Sequence, residues 1–420
     1  MTFNNISEKF IFYKLPAVLF SLIPFFLITG PFLSDFAISI ISLLFLIYCI
    51  KKKKFYYFKE KYFYFFLVFW IYLLLNSLFN NFNLDSLKIS FFYFRYGVFV
   101  IAVVSLLDFD DKFLKYFFYC IFWCFIALIA DGFYQYFVGE NILGFKYGSS
   151  RLSSFFGEKK ILGSYLSRLW PIFFGLSLLI INQKNKLFLP LILIFILSEV
   201  LIFLSGDRTA FFYINLSAIF VILFSQKLLK IRLLTLLSSI LILVAINFIS
   251  PQSKERIFDQ TLDEMNLLKD NKDPSYLFSK AHHEMYISAF KMFEDNKVFG
   301  IGVKNFRNLC KDPRYYVNGN SRCFTHPHSS YLQILTETGL VGFLFLLTLL
   351  FYFCKYVLKH FMLKLKGKFY FNDFEICILS GVAIYLWPLI PTGNIFNNWI
   401  NICLFLNLIF LIWSRKSNNP

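Results

Sequence analysis

The chain has 420 residues, of which 58% are hydrophobic and 16% are charged, and its formal net charge is +17. Length alone would suggest two or three soluble domains. Several apolar runs exclude that class, because they reach roughly the 20 residues that cross about 30 Å of hydrocarbon. Solid apolar runs also exclude a membrane β-barrel, whose strands alternate apolar and polar residues. The lysines cluster between the runs, so the positive charge reflects membrane topology rather than a nucleic-acid partner.

The apolar runs predict an all-α fold, a polytopic membrane bundle of about twelve transmembrane helices with one long polar segment that contains short helices. Gly30-Pro31 joins the first two runs so tightly that they could instead form one re-entrant hairpin. In chain order the predicted spans are 13–30, 33–50, 62–79, 89–107, 116–138, 161–181, 187–204, 210–225, 233–250, 331–353, 374–390 and 397–413.

The spans divide the chain into three parts. Residues 1–250 form an N-terminal bundle of about nine spans, 251–330 form the polar segment, and 331–420 hold about three C-terminal spans. Lysine and arginine concentrate in alternate loops, for example at 51–54 and 355–366. Because basic loops stay on the cytoplasmic side, we expect both termini to be cytoplasmic and the polar segment to be periplasmic.

The polar segment is predicted to carry function, because long loops without structure are otherwise uncommon. A charged stretch runs to Asp273-Pro274, and an amphipathic helix is predicted over 275–294. An apolar turn with two glycines follows at 298–302. Cys310 and Cys323 lie further on, and in a compartment outside the cytoplasm they are expected to form a disulfide.

His326 and His328 stand where the polar segment meets the next apolar run. A histidine at the outer mouth of a span can act as a general base that deprotonates a hydroxyl. The alternative is a helix cap, in which these histidines with Ser329 and Ser330 satisfy the first amides of the span. Residue type alone favours the cap.

Arg208 lies between two spans that meet with almost no loop, so it is expected at the outer edge of the hydrocarbon. An arginine at that depth is costly unless it is paired or bound to an anion. Its planar guanidinium can hold phosphate oxygens through two hydrogen bonds. The alternative is a simple pair between Asp207 and Arg208.

Other basic residues offer weaker signals. The outside loop at 146–160 could hold an anionic lipid headgroup or a diphosphate, although solvated surface charge explains its basic residues nearly as well. Arg95 and Arg168 fall within predicted spans, where each must face the bundle interior or extend to the interface. Beside His282 and His283 stands a single carboxylate, so no metal site is predicted there. The basic residues of the outside loop are Lys146, Arg151, Lys159 and Lys160.

These motifs resemble the O-antigen ligase and O-antigen polymerase superfamily, whose signature is a histidine, then Asn, Ser or Gln, then nine residues and a glycine. The similarity covers residues 150–345. Further elements similar to the family are S-G-x-R-T-A, G-x-G-x-x-x-F and a Phe-Gly-Glu segment. The motifs stand at His328, Ser329 and Gly339, at 205–210, at 300–306 and at 156–166.

The resemblance implies a metal-independent, inverting glycosyltransferase without a cofactor, active in surface polysaccharide or lipopolysaccharide biosynthesis. It would move a glycan from an undecaprenyl-diphosphate carrier to an acceptor glycan or a lipid A-core hydroxyl, on the periplasmic face of the bacterial inner membrane. His328 would be the base and Arg208 would bind the diphosphate. Further substrate-binding candidates are Arg151, Lys159, Lys160, His282, His283, His326 and Arg95.

One departure concerns the second diphosphate-binding arginine that many members carry in R-x-x-x-W. Here the corresponding residues are His282 and Tyr286, so the role passes to His282, His283, Lys280 or Arg151. Ligase and polymerase share all these motifs. A flippase for lipid-linked oligosaccharides is the alternative from another class, although no inverted hydropathy repeat favours it. A non-catalytic scaffold would leave the histidine and arginine motifs unexplained.

Overall fold

The computed structural model describes residues 6–80, 82–147, 151–180, 188–226, 229–249, 251–265, 267, 276, 278–319, 321 and 323–418. Within these ranges the chain is helical and contains no strand, although an isolated bridge pairs Glu140 with Lys146. The predicted all-α fold class of a polytopic membrane bundle is therefore confirmed.

The first half of the chain consists of helices that follow the predicted apolar runs. The first run is broken at Leu22, and the two pieces meet at 55°. Pro24 explains the break, because it has no N–H to bond the carbonyl of Phe20. In chain order the helices are α1 (Ile6–Lys9), a π-helical turn (Phe10–Lys14), α2 (Leu15–Ser21), α3 (Ile23–Thr29), α4 (Pro31–Lys51), α5 (Lys61–Phe79), α6 (Leu84–Phe92), α7 (Phe94–Phe109), α8 (Phe113–Val138) and α9 (Leu162–Ile180).

The second half contains the remaining apolar helices and the helices of the polar segment. Short 3₁₀ turns also occur at Phe55–Lys59, Ser154–Phe156 and Pro313–Tyr315. The helices are α10 (Phe188–Leu204), α11 (Arg208–Phe224), α12 (Leu229–Ile249), α13 (Pro251–Lys254), a π-helical turn (Glu255–Asp259), α14 (Gln260–Glu264), α15 (Lys280–Asp295), α16 (Phe306–Leu309), α17 (Ser330–Leu365), α18 (Asp373–Leu386) and α19 (Asn398–Asn418).

Fewer candidate spans than the predicted twelve can be counted among the described residues. Among the described residues, seven helices are long and apolar enough to cross a membrane, or eight if the bent pair α1–α3 counts as one span. Two further apolar helices, Leu189–Leu204 and Arg208–Phe224, are shorter than the roughly 20 residues that a span needs, and α12 contains another apolar stretch, Arg232–Ala245. The chain is a multi-pass membrane protein, but the count of twelve is not confirmed.

The centre of the bundle is formed by α9, α11 and α18, which pack on one another, while α19 packs on α18 and α7. In α9, 72% of the apolar window is buried, whereas in α5 only 22% is, which places α5 at the periphery. Arg168 of α9 faces the interior, where its guanidinium lies 4.8 Å from the ring centres of both Tyr213 and Tyr385. Two cation–π contacts thus hold this buried charge.

The polar segment is more helical at its start and less so in its middle than predicted. The charged stretch begins with α13 and α14, and its predicted end at Asp273-Pro274 lies outside the described residues. The predicted start of the amphipathic helix, Ser275, also lies outside them. Helix α15 begins only at Lys280, because the preceding Phe278 has a left-handed φ of 72° that helical backbone cannot contain. Ser279 caps α15 by accepting a hydrogen bond from the amide of His282.

Gly339 interrupts α17, and at this break the helix pairs with the glycine turn at 298–302. The amides of Ile301 and Gly302 donate to the carbonyls of Thr336 and Glu337, each at 2.9 Å. In return, the amides of Leu340 and Val341 donate to the carbonyls of Lys297 and Val298 at 2.9 and 3.2 Å. These four bonds replace helical bonds that the break removes.

The pairing requires glycine on both sides. Gly339 has φ 63° and ψ −168°, a conformation essentially confined to glycine. A methyl group added there would overlap the carbonyl of Val298, and one added at Gly300 would meet the backbone of Gly339 at 2.5 Å. The two glycine motifs of the sequence are therefore the two halves of one backbone contact.

We expect Gly339→Ala to destabilise the protein by about 3 kcal/mol or more, because backbone strain of about 1–3 kcal/mol adds to an overlap of similar cost. The matched control is Gly367→Ala. Gly367 also has a positive φ, of 68°, but no atom within 4 Å of the added carbon. Thermal unfolding of the purified protein in detergent measures both effects, and equal losses in midpoint temperature would contradict the role of the contact.

Candidate functional site

His328 lies immediately before α17, in a left-handed conformation with φ 53°. Its ring is half-buried between two other histidines, with ring centres 4.1 Å from His326 and 5.6 Å from His282. Ser329, not a histidine, caps α17 by accepting from the amide of Leu332 at 3.3 Å. Of the residues predicted as possible caps, Ser329 is therefore the one that caps the helix. Within the described residues no hydrogen bond engages the His328 ring, so its nitrogens are available to a ligand.

His326 has a structural partner on each ring nitrogen. Its Nε2 lies 3.1 Å from the carbonyl oxygen of Thr392, which can only accept, so Nε2 carries the proton. Its Nδ1 lies 2.9 Å from the hydroxyl of Thr325 and, in the neutral ring, accepts from it. These contacts fix the ring of His326 beside His328.

The loop at 391–395, between α18 and α19, clamps the start of α17. The amide of Thr392 donates to the carbonyl of His328 at 2.8 Å, and Ser330 donates to the hydroxyl of Thr392 at 2.8 Å. Gln333 completes the clamp, donating to Asn394 at 3.0 Å and accepting from the amide of Ile395 at 3.0 Å. Sequence reasoning missed this loop. Its only signal was the polar break between two apolar runs.

Burial keeps the histidines of the site neutral. Burial, and then the positive charges that His326 and His282 would carry, lower the pKa of His328 to about 4. Burial likewise lowers the pKa of His326 to about 4, although the bond to Thr392 opposes the shift. The pKa of His282 is also lowered, first by burial. A neutral imidazole at His328 can accept a proton over the whole physiological pH range.

Arg208 is the first residue of α11, and the helix at 260–264 holds its guanidinium. It donates to both carboxylate oxygens of Glu264, at 2.8 and 3.1 Å, and to the side chain of Gln260 at 3.3 Å. Its Nε donates to the carbonyl of Arg256 at 2.9 Å. The predicted alternative, an ion pair with Asp207, is not the arrangement found. Asp207 instead caps α11 by accepting from the amide of Ala210.

Arg256 and Arg151 lie beside Arg208. Arg256 donates to the carbonyl of Gly206 at 3.0 Å, and Arg151 donates to the carbonyl of Lys160 at 3.0 Å and lies 3.5 Å from Asp207. Burial lowers the pKa of Arg256, and the charges of Arg151 and Arg208 lower it further. We call Arg151, Arg208 and Arg256 the arginine cluster. Sequence reasoning missed Arg256, because it treated 251–273 as an undifferentiated charged stretch.

His282 connects the arginine cluster to His328. It lies in the first turn of α15, where the charges of both Glu264 and Arg208 reach it, the first raising and the second lowering its pKa. Its other face meets the ring of His328. The structure thus brings together four of the predicted residues, namely Arg208, His282, His326 and His328, with Arg151 next to them.

Other predicted residues lie elsewhere. Arg95 donates to Asp35 of α4 and lies 5.0 Å over the ring of Tyr96, so its charge has partners within the bundle. His283 points its ring towards Tyr276, at 5.5 Å, rather than towards His328. Lys159 is exposed, and the backbone carbonyl of Lys160 accepts a hydrogen bond from Arg151.

Cys310 and Cys323 form a disulfide that closes the loop before His326. Cys310 is buried in a small apolar cluster with Ala289, Met292 and Phe306. The loop is therefore fastened both covalently and by packing onto α15, which carries His282.

Residues 191–347 match the sequence model of a protein family described as O-antigen ligase. This match confirms the resemblance to the O-antigen ligase and polymerase superfamily. The matched range contains Arg208, Arg256, Glu264, His282 and His328, but neither Arg151 nor the loop at 391–395. The comparison with curated proteins returned no match.

We expect the ring of His328 to titrate with a midpoint near pH 4, well below the 6.5 of an ordinary histidine. The lowered pKa means that the ring stays neutral as the pH falls and gains its proton only in acid. Carbon-13 NMR of histidine-labelled protein measures the midpoint, with the signal assigned by its loss in His328→Gln. A midpoint near 6.5 would contradict the buried environment described above.

Proposed function

We propose that the chain, as a member of the O-antigen ligase and polymerase superfamily, transfers a glycan from a polyprenyl diphosphate carrier to an acceptor hydroxyl. The observation that supports this most strongly is the placement of the neutral His328 beside the arginine cluster, with His282 between them. Transfer from a diphosphate requires a base for the acceptor hydroxyl and, near it, a site that binds the diphosphate anion.

The arginine cluster binds the diphosphate in this proposal. Arg208 and Arg256 each carry a guanidinium that can donate two parallel hydrogen bonds to the oxygens of a phosphate. The carboxylate of Glu264 accepts two hydrogen bonds from the guanidinium of Arg208. A diphosphate presents more charge and more acceptor oxygens than one carboxylate. It therefore displaces Glu264 and is held where negative charge develops as the glycan leaves.

His328 accepts the proton of the acceptor hydroxyl. The hydroxyl oxygen then forms a bond to the anomeric carbon while the bond from that carbon to the diphosphate oxygen breaks. The electron pair leaves with the diphosphate, and attack opposite the leaving group inverts the anomeric centre. The activated carrier supplies the energy, so the step needs no nucleotide.

The other residues position these two groups. His326 is held by Thr325 and Thr392, and it packs on the ring of His328. His282 lies between the base and the arginines, where it can donate a hydrogen bond to a phosphate oxygen. In this role it takes the place of the second arginine of the family, together with Arg256.

The cellular setting follows the predicted topology. With basic loops inside, the site opens on the periplasmic face of the bacterial inner membrane, where undecaprenyl-diphosphate-linked glycans are used in surface polysaccharide or lipopolysaccharide biosynthesis. The acceptor is either a sugar of the growing chain, as in a polymerase, or a lipid A-core, as in a ligase.

We expect His328→Ala to lower the transfer rate by about 10²–10⁴-fold, the usual contribution of a general base. Transfer from a polyprenyl-diphosphate glycan by the purified full chain in proteoliposomes measures the rate. The matched control is His283→Ala, which removes a neighbouring histidine on α15 whose ring faces Tyr276 instead of the site.

The control is expected to keep its rate within a few fold. Unchanged transfer by His328→Ala at equal protein levels would refute the assignment of the base. If the wild type instead moves the carrier across the bilayer without transferring glycan, the flippase alternative holds.

A further inference from the structure

A second charged site lies at the opposite end of the bundle from His328. Between α9, α10, α11 and α12 there is a groove whose lining is almost entirely apolar. Helix α11 begins at Arg208, and the part of it that lines the groove is 218–222, close to its other end. The groove is therefore separate from the arginine cluster. Its apolar walls include Trp170, Phe174, Leu191, Phe195, Val221 and Leu236.

Among the described residues, Arg232 of α12 is the one charged side chain in the wall of this groove. It is only 8% exposed, and within the described part of the chain none of its three guanidinium nitrogens has a hydrogen-bond acceptor. The nearest carboxylate, Asp373, lies 3.5 Å away and uses its other oxygen to accept from the amide of Gln226 at 2.7 Å. A buried guanidinium without acceptors is costly, so the site lacks a group that would accept from it.

A neighbouring cation favours an anion as that group, whereas the carboxylate of Asp373 competes with it. Lys364 lies at the same end of the bundle, where its ammonium donates to the carbonyl of Leu223 at 2.6 Å. Asp373 is the carboxylate that faces Arg232. An apolar groove that ends at an unsatisfied guanidinium matches the chemistry of an amphiphile, with an anionic head and a hydrocarbon tail.

We propose that this groove binds an anionic phospholipid from the adjoining leaflet, with its phosphate on Arg232 and one acyl chain between α9 and α10. In the proposed orientation this is the cytoplasmic leaflet. The polyprenyl tail of the carrier does not explain the site. Its diphosphate would lie at the Arg208 end, and the far end of an isoprenoid carries no charge for Arg232. The proposal stands independently of the transfer reaction.

Native mass spectrometry of the full chain in neutral detergent, titrated with phosphatidylglycerol or phosphatidylcholine, tests the site. We expect the wild type to prefer phosphatidylglycerol. Arg232→Gln should weaken that binding by about tenfold or more, the usual worth of a charge-assisted hydrogen bond. Asp373→Asn should strengthen it, because the competing charge is gone while the oxygen that accepts from Gln226 remains. Ala218→Phe should block the groove and weaken the binding of both lipids.

The matched control is Lys416→Gln, which removes a basic residue paired with Asp108 at 2.7 Å and absent from the groove lining. It should leave phosphatidylglycerol binding unchanged. Equal losses in Arg232→Gln and Lys416→Gln, or equal binding of the two lipids by the wild type, would overturn the proposal. Displacement of phosphatidylglycerol by a neutral polyprenol would overturn it in favour of the carrier tail. If Arg232→Gln does not fold, the direction of the change in Asp373→Asn decides.

Discussion

The backbones of Gly300 and Gly339 approach so closely that neither position has room for a side chain, and the rest of the site depends on this contact. Four hydrogen bonds join the turn at 298–302 to the break in α17. They fix the start of α17 against α15, since Thr336 also donates to the carbonyl of Ala289. His328 precedes α17 and His282 lies in the first turn of α15, so one backbone contact sets the distance between these two histidines.

Three arginines converge at the start of α11, while the carboxylates that face them are Asp207 and Glu264. Glu264 accepts two hydrogen bonds from the guanidinium of Arg208, which compensate its charge. In the function that we propose, a diphosphate takes over these two hydrogen bonds. Two other buried arginines differ in the same respect. The charge of Arg168 lies against two tyrosine rings, whereas Arg232 pairs with Asp373 at 3.5 Å and makes no hydrogen bond among the described residues.

The sequence predicts local features well and long-range ones poorly. Apolar runs locate the helices. The spacing from His328 to Gly339 identifies the histidine whose ring makes no hydrogen bond within the described residues. Arg256 could not be identified from the sequence. It contributes to the site because the chain folds back and brings it to the carbonyl of Gly206, fifty residues earlier. The loop at 391–395 acts through contacts about sixty residues away in sequence, which no local pattern encodes. Arg95 illustrates the converse case. Its partner Asp35 lies on a distant helix, so its charge looked unpaired.

The central claim is that the diphosphate takes the place of Glu264 on Arg208, next to a neutral His328. Cryo-electron microscopy of the full chain with a bound polyprenyl diphosphate tests it most directly. The account predicts diphosphate density within hydrogen-bond distance of Arg208 and Arg256, with the Glu264 carboxylate moved away and the head of the carrier facing His328. A complex in which Glu264 keeps both bonds to Arg208 and the diphosphate lies elsewhere would contradict it.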